Sequence, residues 1–532
     1  MRDEIHAMDR PAHSSRAPRP GRRPRRLVLA GLVVVAAWFA GGCVLTSPKE
    51  WIRNGFKVGP NYCPPAAPVA ESWIQAADPR TQGSPPRDGN WWKVFQDPIL
   101  DDLVRRAYHQ NPSLHAVGTR VLQARAQQAI AVGRIFPQTQ QVLGLYSFGT
   151  FAGVPQHINI TAFNLSWELD FWGRYRRQVE SANASLDASV GDYDDALVTL
   201  LGDVATNYAQ YRIAQRRIQI ARDNLRIQER LVALALRQEK VGTATVLDVQ
   251  QLRTLMEHTR STIPALQITL GLANDTLCIL LGVPPRDLER ELGPGSKPSS
   301  LPLPNTPAVV AAGIPADLLR RRPDIRGAER KIAAQCAQIG VAEADLYPRL
   351  ALGTALGQGN INLGPALTSN GGLAFIIPQF SWNILNYGRL ANNVHLQEAR
   401  TQELVATYQN TVLTAAREAQ TALRGFLRSQ EQADSLARSA AAAVSTTAIE
   451  ERLFTEVKAD VNRMFTLANA LLQAQDQLAV AQGNIALNLI DLYRALGGGW
   501  ELRLQPSPPA AAPRPPALPS PPSTRSPFAA AR

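Results

Sequence analysis

The stretch Leu165–Arg177 reads LSWELDFWGRYRR, and Phe380–Asn392 reads FSWNILNYGRLAN. Ser166-Trp167 returns as Ser381-Trp382, and Trp172-Gly173-Arg174 returns as Tyr387-Gly388-Arg389, in each case 215 residues later. Both phrases begin as an alternating apolar run and end at an aromatic-glycine pair, after which the apolar spacing becomes helical. A change of period from 2 to 3.6 marks a strand running into a helix. Trp172, Gly173, Tyr387 and Gly388 are therefore candidate strand–helix hinges. Glycine suits a sharp change of direction, and Trp and Tyr favour a membrane–water boundary.

Working outward, a helical pattern covers Ser113–Arg134 and stops before Pro137. Gln141–Gly149 and His157–Phe171 read as the two strands of a hairpin. In the second, Ile158, Ile160 and Ala162 alternate in one phase, and Phe163, Leu165, Trp167, Leu169 and Phe171 in the other. The slip predicts a β-bulge or a change of environment. From Tyr175 to about Gln238 a helix carries Leu186, Val190, Tyr193, Leu197, Leu200, Val204, Tyr208 and Tyr211 on a near-heptad seam. About 60 residues at 1.5 Å each give a rod of roughly 90 Å. Lys240–Val249 breaks it at Gly242, and a second helix returns to Leu281.

The same plan follows a second time. Asp102-Leu103-Val104-Arg105-Arg106 matches Asp317-Leu318-Leu319-Arg320-Arg321, and Phe136-Pro137-Gln138 matches Tyr347-Pro348-Arg349. A Gly/Asn-rich loop is expected at Gln358–Gly372, a strand at Leu373–Leu385, a long helix through Ala391 to about Thr455, and a last helix to Leu496. An internal repeat is the main organisational signal. The expected domains are a signal peptide at 1–42, an extended segment at 43–90, a first repeat at 91–290, a linker at 291–312, a second repeat at 313–501 and a Pro-rich tail at 502–532.

Four strands cannot close a membrane barrel, because the smallest single-chain ones have eight. Open strand edges cannot sit in lipid. Either the strands are buried in a soluble protein, or several chains share one barrel.

The chain carries a formal charge of +12, of which residues 1–26 supply eight Arg and three acids. The remainder shows no Lys/Arg stripe interleaved with aromatics, so nucleic-acid binding is not expected. An apolar run, Leu27–Ala40, follows Arg22, Arg23, Arg25 and Arg26 and leads into Gly41-Gly42-Cys43. At about 21 Å as a helix it is short for a bilayer, and it reads as a secretory signal. Cys63, Cys278 and Cys336 form no framework, so neither disulfides nor zinc are expected. Asp192, Asp194, Asp195 and Asp203 read as a solvated helix face. No GxSxG, phosphate loop or paired catalytic motif occurs, so no enzyme, cofactor or metal site is expected.

These features resemble the TolC-like outer-membrane efflux channels, specifically the NodT/OprM-like lipoprotein branch of RND systems. The resemblance rests on Ala40–Cys43, VGPNY at Val58–Tyr62, WWKVFQDPILDDLV at Trp91–Val104, NPSL at Asn111–Leu114 and FPQ at Phe136–Gln138. It rests further on VGTATVLDV at Val241–Val249, LLRRRPDIRGAE at Leu318–Glu329, YPRL at Tyr347–Leu350 and YRALGGGW at Tyr493–Trp500. It implies a fold mixing helices with membrane β-hairpins. A long antiparallel helical tunnel, an α-barrel, would carry four strands per chain into a trimeric twelve-stranded β-barrel.

It also implies a homotrimer, lipid on Cys43 in the outer membrane, a periplasmic adaptor and an inner-membrane RND transporter as partners. The duct would be passive and carry small molecules such as drugs. The adaptor-docking tips would be Val241, Gly242 and Thr243 in the first half and Val457 and Lys458 in the second. Lys458 stands near the place where the family pattern has Gly. Asp460 leads the candidates for a gate ring of carboxylates, with Asp248, Asn462 and Arg463 behind it. The other reading of Asp460 is a helix cap. Two rival functions stay open, a type I secretion exit duct and a pore-less periplasmic coiled-coil lipoprotein.

Overall fold

A computed structural model of the chain describes residues 46–83, 89–151, 154–292, 304–362, 368–455 and 461–505. Its frame is four long helices. The first long helix, Arg174–Lys240, and the second, Arg389–Thr455, each have 67 residues, roughly 100 Å. The first return helix, Val246–Leu280, and the second, Val461–Ala495, each have 35. All four start and stop 215 residues from their counterparts. Two shorter helices, Pro112–Gly133 and Pro323–Ala344, have 22 residues each, and both begin with Pro, whose fixed φ suits the first turn.

Six strands occur among the described residues. β2 (Thr139–Phe151), β3 (Val154–Leu169), β5 (Arg349–Asn362) and β6 (Thr368–Ser381) form one antiparallel sheet in the order β2-β3-β5-β6. β1 (Thr81–Gln82) and β4 (Val310–Ala311) make a two-residue parallel pair. The register of the large sheet is unbroken from Thr139↔Ser166 to Phe151↔Val154 and from His157↔Asn362 to Leu169↔Leu350. The phase slip is therefore not a bulge. Phe163, Leu165 and Trp167 share a face with Leu352, Leu356 and Ile376, while Ile158, Ile160 and Ala162 share the other with Leu143 and Leu145. The apolar face changes side at Ala162–Phe163, so the change of environment is the reading that holds.

Three further expectations are corrected. The Gly/Asn-rich stretch 358–372 is largely strand, because cross-strand partners from Gln358↔Gly372 to Asn362↔Thr368 satisfy the glycine backbone. The sixth strand ends at Ser381, and Trp382–Asn386 leaves the sheet. The segment after Cys43 is not simply extended, since Pro48–Arg53 is a short helix closed by a Ser47/Glu50 capping box.

The main core lies where the rods meet the shorter helices. Trp91, Trp92 and Phe95 are buried there with Leu103, Leu197, Leu201, Tyr208, Leu277 and Phe426. Trp91 stacks on Tyr493, with ring centroids 5.5 Å apart. Of the seam residues, Leu197, Leu200, Val204, Tyr208 and Tyr211 are buried, while Leu186, Val190 and Tyr193 are half-buried. A second cluster, including Leu231, Ala235, Leu252 and Met464, fills the space near the helix turns.

Of the four aspartates read as a solvated face, Asp192 is exposed as expected, Asp195 and Asp203 are half-buried, and Asp194 is buried. Asp194 is 1% exposed and receives Arg503 at 2.7 Å and Arg326 at 3.1 Å. Asp192 meets Lys331 at 2.9 Å, and Asp203 meets Arg494 at 3.1 Å. Asp195 is half-buried beside Arg322 and Arg494. Every one of these cations belongs to the second half of the chain, so the ion pairs of Asp192, Asp194 and Asp203 clasp one half to the other. A buried carboxylate needs such partners, because desolvating it alone is costly.

Candidate functional site

The functional features fall at the two ends of the rods. At the sheet end, Gly173 has φ +81°, and a Cβ there would lie 2.6 Å from Lys57 Cγ and 2.8 Å from Lys57 Cα. Only glycine meets both demands. Trp172 beside it stacks on Tyr347 with centroids 4.4 Å apart and donates its indole N–H to Pro348 O at 2.8 Å. In the second half, Gly388 has φ +78°, Tyr387 has φ +52°, and Tyr387 is 97% exposed. The two hinges share the left-handed glycine, but Tyr387 has a positive φ where Trp172 does not, and their surroundings differ: Trp172 is packed, and Tyr387 faces outward.

The first hinge is also held by the segment before the repeat. Arg176 donates to Gly55 O and Phe56 O, both at 2.8 Å, and pairs with Asp170 at 3.0 Å. Arg177, 2% exposed, donates to Val58 O at 2.9 Å and Gly59 O at 2.7 Å. Lys57 pairs with Glu180. Gly59 rests against Gly340, where an added Cβ would lie 2.4 Å from the Gly340 Cα. Sequence reasoning did not find this strap; VGPNY was its one signal.

At the other end, the first tip is a tight turn. Gly242 has φ +79° with open space around it, and Val241, Val246 and Leu247 are 75%, 62% and 66% exposed. Thr243 donates its N–H to Gln238 O at 2.9 Å. Asp248 is a cap: its Oδ2 accepts from Thr245 N and Thr245 Oγ1, both at 2.7 Å, while Asp248 N donates to Thr245 Oγ1. T-x-x-D ahead of an apolar run was a legible capping box. Its carboxylate is thus engaged within its own turn.

Arg463 lies 3.4 Å from Glu450, which is 2% exposed on the second long helix. Asn462 is exposed next to it. Val457, Lys458 and Asp460 lie outside the described residues, as do Cys43 and the tail from 506. By position, Asp460 precedes Val461 as Thr245 precedes Val246. Higher on the rods, Arg217 grips Asp476 through two bonds of 2.7 and 2.9 Å, joining the first long helix to the second return helix.

Long rods joined to a four-stranded sheet with two unpaired edges make up the frame, and no cluster of metal-ligating residues occurs among the described residues. The family model for the outer membrane efflux protein matches residues 103–283 and 314–498, and the chain belongs to that family. It is 32% identical to the pyoverdine export outer membrane protein OpmQ of Pseudomonas putida, over 82% of this chain and 94% of the relative. It is 30% identical to nodulation protein T of Rhizobium leguminosarum bv. viciae, over 86% and 92% respectively. Among solved structures, the outer-membrane channel OprN superposes with a TM-score of 0.76 at 30% identity, covering 83% of this chain and 99% of that one. The protein is an outer-membrane efflux channel of the type found in Gram-negative bacteria.

Proposed function

We propose that the chain is one subunit of a trimeric, passive duct, the outer-membrane component of a tripartite RND-type efflux system. The observation that carries this reading is the sheet. β2 and β6 are unpaired edges, and Val142, Tyr146, Phe148, Phe375, Ile376 and Phe380 are exposed on it. Such edges are untenable in lipid unless they pair with other copies. Three chains supply twelve strands, an even number within the range of natural barrels. The rods bear the same message. Val246–Leu280 is long and apolar enough to cross a membrane, yet it packs along the first long helix with Ile268, Leu272 and Ile279 exposed. A neighbouring copy is the natural cover for that stripe.

In this assembly Cys43 carries lipid and tethers the chain. The apolar tip at Val241, Gly242 and Thr243, with Val457 and Lys458 in the other half, docks a periplasmic adaptor. The inner-membrane transporter supplies the energy, and small toxic compounds are the cargo. Asp460, three copies around one axis, is the leading gate residue, with Arg463 and Asn462 beside it. Asp248 is the weakest member of that set, because its carboxylate already caps a helix.

The test is native mass spectrometry followed by single-channel recording in planar bilayers. A three-chain mass with small, cation-selective conductance that grows in Asp460→Ala is the expected result. Single chains in detergent, or trimers that conduct neither alone nor with adaptor, would overturn the duct. Unchanged conductance in Asp460→Ala would move the gate elsewhere.

A further inference from the structure

The strap that runs into the first hinge ends in an odd construction. Thr46 donates both its N–H and its hydroxyl to one oxygen of Glu343, at 2.6 and 2.5 Å. Gly59 N–H donates to Thr46 Oγ1 at 2.8 Å, and the Tyr347 hydroxyl donates to Thr46 O at 3.3 Å. Glu343 is 4% exposed, and burial pushes its carboxyl up despite the bonds from Thr46. A buried carboxylate shared by Thr46 and Tyr347 holds this part of the strap in place. Cys43 is three residues earlier in the sequence.

Beyond Thr46, the short helix Pro48–Arg53 sets Trp51 against Phe56, Phe171 and Trp172, at centroid distances of 4.8, 5.1 and 5.6 Å. Phe171 stands two residues past the end of β3 and is 47% exposed. Ile52 and Phe56 are 60% and 51% exposed, and Lys49 and Arg53 are exposed beside them. Phe56 holds φ +61° directly after Gly55 at +69°. A bulky residue in the left-handed region persists only where its surroundings impose it, and such strain gathers at functional places. Here Arg176 donates to the Gly55 and Phe56 carbonyls, and Phe56 N–H donates to Trp51 O at 2.8 Å.

We propose that Thr46–Phe56 is a membrane seat: Glu343 latches the chain at Thr46, and Ile52 and Phe56 enter the phospholipid leaflet at the periplasmic end of the strands. Lys49 and Arg53 lie at the level of the phosphate headgroups, where long cationic side chains are favoured beside apolar ones. Glu343 is a positioning residue in this scheme. The inference rests on the proposed barrel for the level of the leaflet and on the lipid-anchor reading only for the acyl chains; the side chains make their own contact.

The experiment places a spin label at Ile52→Cys in a Cys63→Ser background, in which Cys278 and Cys336 are buried. The mature trimer is reconstituted in phospholipid vesicles. Collision rates with oxygen and with a water-soluble nickel chelate are compared with a label at Val241→Cys on the tip. The expected result is a several-fold preference for oxygen at 52 that Glu343→Ala diminishes. Thr46→Val, which removes the hydroxyl donor and keeps the backbone one, gives a smaller shift in the same direction if the alanine variant does not assemble. A label at 52 as open to nickel as the one at 241 overturns the seat. So does a label shielded from both reagents, which would mean cover by another chain. The mass of the N-terminal peptide reads the anchor separately: an unmodified Cys43 sinks the anchor, whereas an acylated Cys43 with a water-exposed label at 52 sinks the seat alone.

Discussion

Trp167 donates its indole N–H to the carbonyl of Ile135 at 3.1 Å, and Trp382 does the same to Leu346 at 2.9 Å. Each bond ties the base of a hairpin to the end of the helix that precedes it. This explains why the Ser-Trp phrase recurs beside Phe-Pro in one half and Tyr-Pro in the other. Replacing Trp167 with Phe deletes the donor and trims the indole to a smaller aromatic ring. We expect a loss of about 1 kcal/mol, the usual net worth of one hydrogen bond. Trp382→Phe should cost a similar amount, and the two should add, because their partners are separate. Thermal unfolding in detergent is the measurement, and a strongly non-additive pair would contradict this account.

Gly173→Ala faces two penalties, a left-handed φ and Lys57 at sub-contact distance. The conformational part alone is roughly 1–2 kcal/mol. Gly242→Ala has the same φ but open space, so it should cost less. Comparing the two melting temperatures isolates the Lys57 contact, and equal losses would show that the strap yields freely.

Asp195 sits among Asp324, Asp192, Arg322 and Arg494, and burial first, then Asp324, raises its pKa to about 6. A carboxyl raised on folding favours the protonated form in the native state. Its stabilising effect is full below the unfolded value near 4 and is lost as pH rises through about 6. Asp195→Asn should therefore raise the melting temperature at pH 7.5 and make little difference at pH 4.5. A variant that is neutral at pH 7.5 would remove Asp195 as an acid-sensitive element.

Arg463 reaches Glu450, whose side chain is 3% exposed, across the turn between the second long and return helices. Removing the cation leaves a buried charge without that partner, which is destabilising in a way that deleting both partners is not. Arg463→Ala should loosen the tip and raise conductance. Adding Glu450→Gln should bring the conductance back toward wild type. Recordings from the single and double variants decide it, and an Arg463→Ala channel identical to wild type would take this pair out of the gate.

Much of the frame was legible because it is written in period and repetition. The seam from Leu186 to Tyr211 predicted a rod starting at Tyr175, and the helix starts at Arg174. Pro137 and Gly282 punctuate the chain where the elements end. What resisted reading depends on partners far away in sequence. The Thr46–Glu343 contact joins residues 297 apart, and no local pattern announces it. Asp194 looks like any surface acid until Arg326 and Arg503 are brought to it. The glycines between 358 and 372 suggested a loop, since propensity is local while strand pairing is not. Asp248 carries a local signal of another kind, a T-x-x-D capping box that sequence alone displays.

The equal lengths of the paired helices, 67 with 67 and 35 with 35, have an evolutionary consequence. Lengthening one long helix by a turn would drop its tip below that of its twin unless its return helix and both counterparts changed together. Four coordinated insertions are far rarer than one. Reach is thus the most heritable trait of such a molecule. The distance between its turns and its sheet is set by four helices at once, so a change in any one of them is felt by the other three.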